Sequence, residues 1–65
     1  MDRIALSSKL APLLHKWYLE ATKNLNPDAY NPDAQKKYHE LSDSQRYIDE
    51  HIAFKIIDWI EENFD

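Results

Sequence analysis

The stretch SDSQRYIDEHIAFKIIDWIEEN, residues 42–63, decides the fold, because it contains neither glycine nor proline and is apolar at helical spacing. Ile48, Ile52, Ile56, Trp59 and Ile60 recur at steps of three and four, so at about 100° per residue they share one face of a helix. Ser42 suits the N-cap. With Gln45 three residues later, the serine oxygen can accept from the Gln45 N–H while the Gln45 amide reaches back, the reciprocal arrangement of a capping box. Asp43 adds a negative charge to the first turn, where the helix dipole favours it. The expectation is one long helix over 43–63.

Outward from this helix, the chain of 65 residues allows one small domain, 1–65, and a chain of this size buries only about 60% of the surface it exposes when unfolded. With no cysteine, neither a disulfide nor a thiolate metal site can support the core, so stability must come from helix packing or association. A net charge of −4 argues against binding a nucleic-acid duplex, which needs clustered Lys and Arg. The opening MDRIALSSK lacks the apolar segment of a signal peptide, and no apolar run approaches a membrane span. A soluble, unprocessed, cytoplasmic protein is expected, without nucleic-acid or membrane partners.

Pro12 sets the expected start of the first helix. It lacks an N–H and would clash with the carbonyl four residues earlier, so a break near Ser8 is expected, with Ser8 as N-cap and a helix over 9–24. The alternative is one kinked helix beginning at Arg3. Leu10, Leu14, Trp17, Ala21 and Leu25 form its apolar stripe, flanked by Leu13 and Tyr18, with Lys9, Lys16 and Lys23 opposite. Between the long helices, Asn-Pro-Asp-Ala appears at 26–29 and again at 31–34. Each Asn can cap a turn with Pro at its first position, so the first copy is read as a tight turn and the second as the start of a short helix over 32–40. The expected fold is therefore all-α: a compact bundle, long-short-long, with the long helices antiparallel and Trp17 and Trp59 as the largest core contributors.

Most of the candidate chemistry resolves into structure. His15, His39 and His51 lack the spacing that puts two metal ligands on one helical face, adjacent carboxylates such as Asp49 and Glu50 point in different directions, and no glycine is present for a phosphate-cradling loop. No enzyme, cofactor or metal is expected. Glu61, Glu62 and Asp65 put acid at a helix C-terminus, where the dipole disfavours it, which suggests fraying or a basic partner. Asp49 stands out because its helical angle falls between Ile52, Ile56 and Ile60. A carboxylate there must find partners, and His15, on the flank of the first helix, is the best candidate. The pair is either a structural anchor or the lining of a pocket.

The segments LAPLLHKWY and YHELSDSQRYIDEHIAFKI, joined by a Pro- and Asp-rich connection, resemble the short helical modules of the ryanodine-receptor repeat type, which also occur as small stand-alone proteins in phages and prophages. Ala11 with His15 and Tyr18 matches the first part of that pattern; Tyr38, Leu41, Ser42, Gln45 and Asp49 match the second. The Gly-Trp-x-Tyr-Gly segment of the receptor repeats has no counterpart here. The resemblance implies an all-α module that binds without transforming what it binds. It supports a phage-type accessory or inhibitor protein acting by protein–protein contact, or an oligomeric module that binds or sequesters a nucleotide-like signal in a site built from His15, Trp17, Tyr18, Tyr38 and Asp49. Ala53, Phe54, Ile57 and Phe64 widen the apolar arc of the last helix beyond what one partner helix covers, so they are the expected interface of a homo-oligomer, a dimer in the favoured case, or of a larger protein partner. The alternative cover for Ile57 and Phe54 is the N-terminal arm, with Ile4 and Leu6 folded back.

Overall fold

A computed structural model of the chain describes residues 2–64. Two long helices, α1 (Arg3–Thr22) and α2 (Asp43–Phe64), pack against each other and are joined by three single 3-10 turns, Pro27–Ala29, Pro32–Ala34 and Tyr38–Glu40. No strand occurs among the described residues. Arg3, at the start of α1, pairs with Asp58 and Glu61 near the end of α2, whereas His15 meets Asp49 in the second turn of α2.

The first helix starts at Arg3, not after Ser8, and runs through Pro12. Asp2 caps it by accepting from the Ala5 N–H at 3.1 Å, and the Leu6 N–H donates to the Asp2 carbonyl. An interior proline costs a helix about 3 kcal/mol. Here the turns before Pro12 are held from outside, by Arg3 on two carboxylates of α2 and by the burial of Ser7. The two partners of Arg3 also answer the expectation of a basic group near Glu61; Asp65 lies outside the described residues. The N-terminal segment reaches Ile57 as the first turns of α1, not as a folded-back arm: Leu6 and Ile57 line one groove, while Ile4 is exposed.

In the connection, Asn26 and Asn31 cap their turns through the N–H groups of Asp28 and Asp33, as the repeat predicts. The short helix expected over 32–40 does not form. Gln35 leaves the helical region at ψ 45°; its side-chain amide donates to Thr22 Oγ1 at 3.0 Å, and the next carbonyl, of Lys36, accepts from His15. These bonds to α1 take the place of bonds that would continue the helix, leaving two separate turns. Ser42 opens α2 by accepting from the Gln45 N–H at 3.3 Å, and Asn63 closes it by donating to the Trp59 carbonyl.

The packed seam is not the one the largest apolar residues mark. On α1 the buried positions are Ser7, Ala11, His15 and Thr22; on α2 they are Ala53 and Ile57, with Asp49 half-buried on the same line. Trp17 and Trp59, expected at the centre of the core, are 49% and 56% exposed, and Ile48 and Ile52 are also exposed. Conversely Ala53 and Ile57, expected on an intermolecular surface, are inside the chain's own core, Phe54 is half-buried, and Phe64 is exposed with its ring edge-on to Trp59 at 5.5 Å. Apart from Ile57 the seam residues are small or polar, so a reading weighted by hydrophobicity places the contact face about one residue step away. Small side chains bring two helix backbones close, which larger ones would prevent. Ala11 and Ala53 are fully buried. Ala53→Leu is therefore expected to cost about 1–3 kcal/mol through overpacking, read as a lower urea midpoint with unchanged slope. A midpoint equal to the wild type would show that the helices do not meet along this line.

Candidate functional site

Two features stand out: a histidine buried between the helices, and an apolar face outside them. His15 is 3% exposed. Its Nε2 is hydrogen-bonded to the Lys36 carbonyl, and its Nδ1 lies 3.6 Å from Asp49 Oδ2. Tyr18, one turn further along α1, stacks on the ring with centroids 5.8 Å apart, and Tyr38 tilts against it at 6.2 Å. The Tyr38 hydroxyl donates to Glu50 at 3.3 Å. One imidazole thus ties α1, the connection and α2 together.

A carbonyl only accepts, so His15 Nε2 carries hydrogen, and Nδ1 of the neutral ring is a bare lone pair. Facing it with an ionised carboxylate would set acceptor against acceptor, and a proton on either group relieves this. Burial pushes the Asp49 carboxyl above its ordinary value, while attraction to the His15 ring opposes the shift. Burial also pushes the Tyr38 hydroxyl up, helped by the charge of Glu50 and its hydrogen bond, so that Tyr38 stays a neutral donor.

Of the residues expected to form a binding site, His15, Tyr18, Tyr38 and Asp49 come together and Trp17 does not; it faces outward, away from the seam. A cavity of about 180 Å³ beside this cluster is lined by Tyr18, Asn31, Gln45, Ile48 and Asp49, among others. The Lys36 carbonyl was not legible from the sequence, since a backbone acceptor in an irregular segment leaves no residue signature. Among the described residues, no group of three or more His, Asp and Glu side chains could hold a metal, and no helix is long and apolar enough to cross a membrane.

The second feature is a groove of about 300 Å³ lined by Leu6, Lys9, Leu10 and Leu13 from α1 and Ile57 and Ile60 from α2. Trp17 continues the α1 stripe one turn beyond Leu13, and Ile52, Ile56 and Trp59 continue the stripe of Ile60. Parts of the two stripes expected as core, Leu10 on α1 and Ile60 on α2, therefore border one open groove. Comparison of the chain with family models, with curated proteins and with solved structures gave no match.

His15→Ala is expected to cost about 1–3 kcal/mol by leaving the Lys36 carbonyl without its partner, measured by urea unfolding at pH 7. Asp49→Asn supplies an amide donor for Nδ1 and should be at least as stable as the wild type there. An acid whose folded pKa is raised stabilises the fold in its protonated form. The Asp49 contribution is thus fully present below about pH 3.9 and is lost as pH rises through the folded pKa. The Asn variant should lack that loss, and the same acid-limb slope in both proteins would place Asp49 in solvent.

Proposed function

We propose that the protein is a non-catalytic binding module, a small accessory or inhibitor protein of the phage type its sequence resembles, acting by protein–protein contact in the cytoplasm. Its two long helices run antiparallel as a slab, with His15 fastening the connection to one end. The observation that carries this reading is the open face of the slab: Leu6, Leu13, Trp17, Ile52, Trp59 and Ile60 are all exposed, Leu6, Leu13 and Ile60 border one groove, and helical spacing puts Trp17, Ile52 and Trp59 on the same two stripes. Isolated exposed apolar residues need no explanation, but a contiguous patch containing two tryptophans has the composition of an interface core. Tryptophan is also among the residues that dominate binding energy at such interfaces. Lys9 is the one charged side chain lining the groove, and Asp49, which shares the helical angle of Ile52, Ile56 and Ile60, is half-buried beside His15.

The alternative is binding or sequestering of a nucleotide-like small ligand beside His15 and Asp49. The cavity there, about 180 Å³, is smaller than the ~300–1,000 Å³ of small-molecule sites. Its size favours the docking face over the pocket as the working surface. A photo-crosslinking amino acid at position 52 is expected to give a discrete protein adduct in the expressing cell, lost when Trp59→Glu is added. The same group at exposed position 23, just past the C-terminal end of α1, should give none. Equal background labelling from both positions would overturn the docking reading.

A further inference from the structure

We infer that the occupant of the open face is a second copy of this chain, so that two helical pairs close face to face into a symmetric four-helix bundle; this rests on the docking reading above. Three observations carry it. The first is the thinness of the interior: among the described residues the buried apolar side chains are Ala11, Leu41, Ala53 and Ile57, and no large side chain is fully buried. Sixty-five residues with no disulfide and so small a core gain the burial they lack by association. Such a need exists as soon as the chain is made, and its own copy is the partner present in equal amount at that moment.

The second is area. From the fractional exposures of Leu6, Leu13, Trp17, Ile52, Trp59 and Ile60, the face offers roughly 600 Å², and the half-buried flanking Leu10 and Ile56 raise it to about 700 Å², at the lower end of the ~600–1,000 Å² per partner of a stable interface. The third is charge. The protein carries −4 overall, yet of the residues lining the groove Lys9 alone is charged, and Asp49, on the same arc of α2, is half-buried against His15. A two-fold axis lying in the face sets apolar stripe on apolar stripe, with Lys9 the one groove-lining charge whose flexible stem must carry its ammonium to water, and it keeps the acids of α2 at the rim. The open face thus becomes the shared core, in which Trp17 and Trp59 are buried as the sequence periodicity demands.

Sedimentation of the purified protein at about 50 µM tests this. The wild type should run at twice 7.8 kDa, and its melting temperature should fall on hundredfold dilution, as linkage between folding and association requires. Ile52→Glu should raise the dimer dissociation constant roughly a hundredfold or more, because it buries an unpaired charge. Should that variant lose its helical circular dichroism, the dilution dependence of the wild type still decides. A wild-type monomer with a dilution-independent melting temperature overturns the proposal. If position 52 still cross-links a foreign protein, the docking reading survives with a different partner. If the monomer instead floats with phosphatidylcholine vesicles and forms no adduct, both readings fall and the occupant is a lipid surface.

Discussion

The close approach of α1 and α2 along a seam of small and polar side chains is the constraint on which the other features depend. Ala11 and Ala53 permit it, and Ser7, Thr22 and Asp49 share the same line without bulk. Helices this close leave no room between them for Trp17, Ile52 or Trp59, so those side chains face outward. Polar groups on the seam must then be satisfied internally. Ser7 and Thr22 donate to carbonyls of their own helix, and His15 takes the Lys36 carbonyl. No buried side-chain nitrogen or oxygen among the described residues lacks a partner. A seam built this way gains less from hydrophobic transfer than a leucine core would. It gains specificity of position, because a buried hydrogen-bonding group accepts few alternative registers.

Ion pairs and hydrogen bonds divide the labour along the slab. At one end Arg3 spans Asp58 and Glu61, all partly exposed, in a network that salt would weaken. At the other end Gln35 bonds to Thr22 and His15 to Lys36 in partly buried positions, while the bond from Tyr38 to Glu50 is exposed. The connection is therefore fastened to both helices, although it consists only of single turns. It also contains no glycine and no residue of positive φ, which limits the freedom it would have when unfolded.

Much of the architecture was legible in the sequence. The two long helices, the serine that opens α2 and the paired Asn-Pro turns all follow from local chemistry: side-chain oxygens that accept from specific N–H groups, and a proline that needs no donor at the start of a turn. The proximity of Asp49 to His15 was legible too, because a carboxylate inside an apolar arc must be partnered. What escaped was the choice of face. Periodicity reports every apolar stripe equally and cannot say which is packed within the chain and which lies outside it. Ala11 and Ala53 carry little weight in such a pattern, yet they set the contact. The start of α1 escaped for a related reason: the contacts that carry the helix through Pro12 come from Asp58 and Glu61, more than fifty residues away.

Both tryptophans of the chain are half-exposed on the outer stripes, while the aromatic neighbours of His15 are Tyr18 and Tyr38. Intrinsic fluorescence in this protein is thus a reporter of what covers the slab, while the tyrosines around His15 report on its interior. An emission change from the indoles and a loss of helical ellipticity are consequently distinct events. A titration that shifts one without the other separates occupancy of the surface from integrity of the fold.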